Sequence, residues 1–195
     1  AYEIELRLVG SYLFIRDSRC RVSDPNCVPG SEFNGGQVEI TGVEFSALHA
    51  MSLPASVELE LALSYTHTES EFGETFFSGF SQWGLVREGD ELPYVPESTG
   101  NARVSFFRND WSLEASVDFQ SKMREVPGAG LINEDLHADD FTTIDLTVSY
   151  RASETLTWQL LLLNASDEAA IVSHRPFGAR PNRPRSLIGR VKYQF

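Results

Sequence analysis

Arginine is concentrated in one segment near the C-terminus of this chain. The chain as a whole is acidic, with 28 Asp and Glu residues against 16 Lys and Arg residues and a formal net charge of −12. Guanidinium groups bind carboxylates and phosphates through paired hydrogen bonds, so a basic cluster in an acidic chain is a candidate anion site. The segment could contact a carboxylate ligand, lipid phosphates or acidic neighbouring loops; its arginines are Arg175, Arg180, Arg183 and Arg185.

The two cysteines form the second candidate for chemistry. Cys20 and Cys27 are separated by six residues in a segment of Ser, Asp, Pro and Asn. Metal sites favour closer pairs with further ligands, and no such ligands follow here. We therefore predict a local disulfide rather than two free thiols. A disulfide implies an oxidising compartment outside the cytoplasm.

Other reactive patterns are missing from the sequence. It contains no nucleophile elbow, no His pair at zinc spacing, no phosphate-binding loop and no dinucleotide fingerprint. Acidic clusters at residues 88–91 and 134–140 lack EF-hand spacing and are predicted to be solvated loop charge. The negative charge disfavours nucleic acid, which requires basic surfaces. We therefore predict a protein that is not an enzyme and binds no cofactor, metal or nucleic acid.

The elements that carry these residues are predicted from hydropathy. The longest notable apolar run, residues 160–163, is far shorter than the ~18 residues of a membrane-spanning helix. A membrane β-barrel is not excluded, because each of its strands needs only about 9–11 residues, of which half are polar. Alternation of apolar and polar residues, typical of a strand with two different faces, is strict from Trp111 to Gln120.

This alternation recurs along the chain and predicts an all-β protein with antiparallel strands. Short connections near residues 51–54, 108–110 and 152–154 alternate with long ones near 17–37, 67–94, 124–140 and 166–184. Such alternation is typical of a transmembrane barrel with short periplasmic turns and long extracellular loops, although a soluble meander or sandwich remains open. The eight predicted strands cover approximately residues 3–15, 38–47, 57–66, 101–106, 111–120, 142–150, 156–164 and 186–195.

Two details of these strands add expectations. The apolar residues of the second strand change phase near Gly42, from Val38 and Ile40 to Val43 and Phe45, which predicts a β-bulge. Aromatic residues near strand ends could form the two belts at the membrane surfaces. The candidate belt residues are Tyr12, Phe14, Tyr65, Trp111, Phe119, Tyr150, Trp158, Tyr193 and Phe195.

Several segments resemble the C-terminal part of TonB-dependent outer-membrane receptors, particularly the branch similar to ferric-citrate receptors. The resemblance covers nearly the whole chain, and its motifs follow in the same order. The Cys20 and Cys27 pair also resembles a loop cystine of that branch. The motifs are the Gly-rich entry Phe33–Glu44, the sequence LPYVPE at residues 92–97, residues 145–164, the RPFGARP sequence at 175–181 and the ending Tyr193-Gln194-Phe195.

The resemblance implies a function in the bacterial outer membrane. Such receptors import ferric chelates, with energy delivered by TonB, through a 22-stranded barrel that surrounds an N-terminal plug. Residues 1–195 would then be a C-terminal barrel segment, without the plug and the earlier strands. The alternative is a self-contained eight-stranded barrel, an adhesin or structural protein, in which the first strand pairs with the last.

The resemblance also implies partners and sites. Arg175, Arg180 and Arg183 become candidate contacts for the ferric chelate, with lipopolysaccharide phosphates as the competing partner. The outer-membrane lipid would surround the barrel, and TonB would act through the plug. Gly189, Tyr193 and Phe195 resemble the terminal signal that the barrel-assembly machinery recognises, with Gly189 one position from the usual spacing.

Overall fold

The computed structural model describes residues 2–16, 34–78, 82–133, 135, 137–174 and 178–195. The positions of Cys20, Cys27 and Arg175 lie outside these residues, so the disulfide and one chelate contact remain predictions. Within the described part of the chain, no helix is long and apolar enough to cross a membrane.

The described residues form β-strands throughout the chain. In chain order these are β1 (Tyr2–Arg16), β2 (Asn34–Leu53), β3 (Val57–Phe72), β4 (Phe76–Phe77), β5 (Leu85–Val86), β6 (Ser98–Arg108), β7 (Trp111–Gln120), β8 (Met123–Arg124), β9 (His137–Ala138), β10 (Phe141–Arg151), β11 (Leu156–Leu163), β12 (Ile171–Ser173), β13 (Arg180–Pro181) and β14 (Ser186–Tyr193).

The long strands form one antiparallel sheet in the order β1-β2-β3-β6-β7-β10-β11-β14. The six other strands pair in three small two-stranded ladders, β4 with β5, β8 with β9 and β12 with β13. The predicted all-β, antiparallel class is therefore confirmed. Strands β2 and β3, at 20 and 16 residues, extend well beyond their predicted ends.

The register of the sheet places the apolar residues of neighbouring strands side by side. Because side chains alternate between the two faces of a strand, directly paired residues share a face. One transverse row crosses the sheet from β2 to β14 on the apolar face. Its members are His49, Leu61, Val104, Ala115, Leu146, Leu162 and Leu187.

The other face of the sheet is polar and forms hydrogen bonds between neighbouring strands. Asn101 donates to Asp118 at 2.7 Å, and Gln159 donates to Ser149 at 3.2 Å. Long polar side chains are costly in a dry core, because every buried donor and acceptor needs a partner. The apolar face is therefore the one that suits lipid, and the polar face suits a hydrated lumen.

Connections at the two ends of the sheet differ in length, as predicted. Residues 54–56, 109–110 and 152–155 make the short turns between paired strands. The turn of residues 109–110 uses a positive φ of 53° at Asn109, a residue type that tolerates this conformation. Between the strands from β3 to β14, the long connections at the opposite end are the first loop (73–97), the second loop (121–140) and the third loop (164–185).

The predicted bulge at Gly42 is wrong. β2 and β3 pair without interruption from Val38 opposite Phe72 to Leu53 opposite Val57. The phase of the apolar residues changes because the two parts of β2 face different surroundings. Val38 is fully buried on the lumen side, under the first loop, whereas Val43 is 37% exposed on the apolar face.

The two outermost strands of the sheet are β1 and β14. Within the described residues they do not pair with each other, so the closure that a self-contained eight-stranded barrel requires is not present. Unpaired backbone groups at such edges cost several kcal/mol each in hydrocarbon.

Aromatic side chains gather at the end of the sheet that carries the short turns. The rings of Trp111 and Tyr150, on paired strands, lie 4.7 Å apart between centroids. On the other neighbouring strand, β11, Tyr150 pairs with Trp158, which is 51% exposed. This arrangement is typical of an interfacial belt. Tyr12 and Phe14 of β1 were also candidates for a belt, but their side chains lie outside the described part.

Candidate functional site

The first loop packs on a small apolar core at the end of β2 and β3. Phe72, the last residue of β3, is fully buried, and its ring lies edge-on to Phe76 and Trp83, with centroids 5.5 and 5.7 Å away. These aromatic contacts fold the loop back onto the lumen side of the sheet. The buried members of the core are Val38, Phe72, Val86 and Leu92.

Arg124 joins the second loop to the first. Its side chain is 7% exposed and forms two hydrogen bonds to the Glu91 carboxylate, at 2.7 and 3.2 Å. It also donates to the carbonyl oxygen of Gly130. The backbone of Arg124 accepts a bond of 2.8 Å from Tyr94. A paired guanidinium and carboxylate fix both distance and orientation, so the two loops are held in one arrangement.

The second and third loops are joined by two acidic residues. The Glu125 side chain is completely buried, and its Oε1 accepts a bond of 2.6 Å from the backbone N–H of His174. Asp139 forms two bonds with Ile171, accepting from its N–H at 2.6 Å and donating its own N–H at 2.8 Å. The three loops therefore form a connected layer at one end of the sheet.

The acidic clusters were expected to be solvated; this is wrong for Asp90, which is buried, whereas Glu91 and Asp139 keep partly exposed carboxylates that also bind other loops. Asp90 is 8% exposed and accepts a bond of 2.8 Å from the N–H of Arg87. Glu91 pairs with Arg124, and Asp139 binds Ile171. Among the described residues no group of three or more His, Cys, Asp or Glu residues could hold a metal ion. The carboxylates instead connect the loops.

The described arginines of the third loop lie in residues 178–185, the part of the loop that leads back to β14 and is called the returning limb. Arg180, in β13, pairs with Ser173, and Arg183 follows three residues later; both are exposed. In the described part of the chain neither forms an ion pair, whereas Arg185 lies 3.3 Å from the carboxylate of Asp167. Arg180 and Arg183 are thus available to an anion from solution, and Arg185 is in part neutralised within its own loop.

Sequence reasoning missed the residues that organise this layer. Arg124 and Glu125 follow β7 without any motif, and Asn164 directly follows β11 as a single amide. The partners through which they join separate segments lie between 19 and 49 positions away in sequence. Pairing over such separations leaves no local pattern, so no signal in a single sequence could have identified them.

The terminal residues lie on the apolar face at the short-turn end. Gly189 pairs with Leu160, and Tyr193 pairs with Leu156. The rings of Tyr193 and Phe195 are 5.6 Å apart, and Phe195 is completely exposed. Tyr193 and Phe195 thus present two accessible aromatic rings at the edge strand β14, and their role as an assembly signal stays a prediction.

An antiparallel sheet with one lipid-compatible face, one polar face, short turns at one end and connected loops at the other defines the wall of a transmembrane β-barrel. A family model described as TonB dependent receptor-like, β-barrel matches residues 16–165. The chain belongs to this family of receptors, and it is therefore a component of the bacterial outer membrane.

Relatives and solved structures agree with this assignment. An iron-regulated outer membrane virulence protein of Vibrio cholerae serotype O1 is 28% identical over 162 residues, which make up 83% of this chain and 22% of that protein. The chain thus spans about a fifth of the length of the curated relatives that it matches.

The solved structures that share the fold include two crystal structures of iron transporters. The unliganded ferric citrate transporter FecA gives a TM-score of 0.72 at 18% identity, covering 98% of this chain and 29% of FecA. The closed form of the ferric-catecholate import receptor Fiu from Escherichia coli K12 gives 0.67 at 17% identity, covering 100% of this chain and 25% of Fiu. At these identities the likeness shows the fold alone.

Proposed function

We propose that residues 1–195 are the C-terminal barrel segment of a TonB-dependent receptor that imports ferric chelates across the outer membrane. The single observation that carries the proposal is the family match over residues 16–165. The open edges at β1 and β14 support it, because a larger barrel would supply partners for both strands. A self-contained adhesin or structural barrel would need these two strands to pair.

Transport in this proposal is driven by energy coupling and involves no enzymatic reaction. TonB would act through a plug that lies outside these residues. The test is uptake of radioactive iron, supplied as ferric citrate or as siderophore complexes, by cells that carry the receptor as their sole importer for that complex. Uptake is expected to cease when the receptor gene or the TonB gene is deleted. Uptake that continues without TonB would contradict the proposal.

The ferric chelate is proposed to contact Arg180 and Arg183, because both are exposed and free of ion pairs within the described residues. Replacing both with Gln is expected to weaken binding of ferric citrate by roughly tenfold or more, since the loss of even one charge-assisted hydrogen bond, which contributes about 1.5–3 kcal/mol, weakens binding by that factor. Titration of the whole receptor, followed by its tryptophan fluorescence, measures the affinity. Arg108→Gln, at the short-turn end, is the control. Equal affinities in all three proteins would refute the contact.

The outer-membrane lipid, lipopolysaccharide and the barrel-assembly machinery are proposed partners of the same chain. Tyr193 and Phe195 would form the recognition signal at the terminal strand. Phe195→Ser is expected to reduce the amount of receptor in the outer membrane several-fold, because the exposed ring is the part that a partner can reach. Quantitative blotting of membrane fractions measures this effect.

The matched control for this substitution is Leu131→Ser, which also removes an exposed apolar side chain, 99% accessible, but from the second loop. It is expected to leave the amount unchanged. If both variants accumulate like the parent protein, the terminal signal is not at Phe195.

A further inference from the structure

We propose that Asn164 is a positioning residue that holds the arginine-bearing limb of the third loop in a fixed place, so that an anionic ligand meets Arg180 and Arg183 already arranged. This inference rests on the proposed contact between those arginines and a ferric chelate. It adds a residue that touches neither the ligand nor the guanidinium groups.

The amide group of Asn164 joins the first residues of the third loop to its last residues, a place called the neck of the loop. Its side chain is 2% exposed. Its Nδ2 donates to the carbonyl oxygens of Glu168 and Arg183, both at 2.8 Å. Its Oδ1 accepts from the N–H of Glu168 at 2.9 Å and from the hydroxyl of Ser166 at 3.2 Å. Two donors and two acceptor positions are thus all used, which is the full capacity of this side chain.

The wall of the barrel holds Asn164 itself. Its backbone N–H donates to Oδ1 of Asp145 in β10 at 2.7 Å, and the next residue, Ala165, donates to the carbonyl of Ile144 at 2.6 Å. The positive φ of Asn164, 49°, turns the chain sharply at the end of β11. The bond to Arg183 therefore connects the returning limb to the sheet rather than to a second flexible loop.

A second asparagine supports the same neck one residue from Arg183. Asn182 exchanges backbone and side-chain bonds with Ala170, at 2.9 and 3.3 Å, and its Nδ2 donates to Glu168 at 3.0 Å. The backbone is held on both sides of the peptide that joins Asn182 to Arg183, while the Arg180 and Arg183 side chains remain exposed.

Proline restricts the same limb from within. Arg180 precedes Pro181 and Arg183 precedes Pro184. A residue before proline is confined to extended conformations, because the proline ring clashes with the helical alternative. A limb with little freedom before binding loses little entropy on binding, so more of the interaction energy appears as affinity.

The experiment compares Asn164→Ala with Asn109→Ala in the whole receptor. Both replace an asparagine with positive φ, at 49° and 53°, so the backbone strain is matched. Asn109 lies in a short turn at the other end of the sheet. N164A is expected to weaken ferric citrate binding roughly fivefold, the size of one or two lost hydrogen bonds. N109A is expected to leave affinity unchanged.

Two further readouts separate positioning from general stability. Hydrogen exchange of the amides of residues 178–185 is expected to accelerate about tenfold in N164A, with exchange in β10 and β11 unchanged. In the background of R180Q/R183Q, N164A is expected to have no further effect on affinity, because there is no longer a guanidinium pair to place. If N164A does not fold, Asn182→Ala tests the same neck.

The outcomes distinguish this inference from the function on which it rests. Unchanged affinity and unchanged exchange in N164A would overturn the positioning role while leaving the arginine contact intact. Unchanged affinity in R180Q/R183Q would overturn the contact itself, and with it the purpose assigned to Asn164. The inference is supported if N164A and R180Q/R183Q each lose affinity and the combined variant loses no more than R180Q/R183Q.

Discussion

Replacing Gly42 with Ala is expected to destabilise the barrel by about 3 kcal/mol, at the upper end of the cost of overpacking. A β-carbon on Gly42 would lie 2.6 Å from the carbonyl oxygen of His67 on the neighbouring strand. Both groups belong to paired backbones, so neither can rotate away, and the ladder between β2 and β3 must open locally. The free energy of unfolding in lipid vesicles, measured with urea, checks this result.

Gly100→Ala provides the matched control for this prediction. Gly100 also lies within a long strand, but the nearest atom to its β-carbon would be the Ser64 carbonyl oxygen at 3.5 Å, an ordinary contact. Alanine is favoured over glycine inside strands by roughly 0.5–1 kcal/mol, so this variant is expected to be neutral or slightly more stable. Equal destabilisation by the two substitutions would show that the close approach at Gly42 is not the cause.

Phe72→Ala is expected to detach the first loop from the sheet, at a cost of about 3–5 kcal/mol. Phe72 is fully buried and its ring contacts Phe76 and Trp83, so its removal leaves a cavity at the centre of the only apolar core that the described residues form. The cost falls on the loop rather than on the whole barrel, because the wall is stabilised by its own ladder and by lipid.

Hydrogen exchange measures this opening directly. The N–H of Phe72 donates to Asp90 at 2.9 Å, and the N–H of Gly89 donates to Phe72 at 2.8 Å, so both amides report on the loop. Their exchange is expected to accelerate by at least about a hundredfold. Phe77→Ala, which removes a ring that is 79% exposed, is the control and should change neither amide. Protection that survives in Phe72→Ala would mean that the core does not hold the loop.

In the proposed receptor, the connected loop layer couples the third loop to the other two. Arg124 links the first and second loops, and Glu125 links the second to the third. A ligand that draws the third loop inward would therefore act on the other two as well. This coupling depends on the hydrogen bonds of the buried Arg124 and Glu125 side chains, which would be costly to leave without a partner.

Much of the wall could be predicted from the sequence because its rule is local. Alternation of period two, as in residues 111–120, follows from the need of each strand to place apolar groups on one face, and it identified every long strand of the sheet. It underestimated the lengths of β2 and β3, and it misread the place where β2 passes from one environment to another. At Val38, β2 keeps its register with β3 but lies beneath the first loop. The loop covers the lumen side of the strand there, so the apolar residues point to that side instead of to lipid.

The proposed ligand site could be predicted from the sequence only in part. Arg180 and Arg183 were proposed as ligand contacts because their charge is unusual in an acidic chain, which is a property of composition. Asn164 carries no charge, and the resemblance of residues 145–164 assigned it no role of its own; its proposed importance comes from Arg183, which lies 19 positions away. A single amide is recognised as a clamp only when the partners of its donors and acceptors are known.

By itself, the sequence determined the class of this protein: an all-β chain with one face for lipid and one for water, short turns at one end and long loops at the other. These properties follow from the order of apolar and polar residues along each strand, which any fold must satisfy. The tertiary structure alone decided how the loops are joined, why Gly42 cannot carry a side chain, and which residue holds the arginine limb. Each of these depends on atoms that are distant in sequence and adjacent in space.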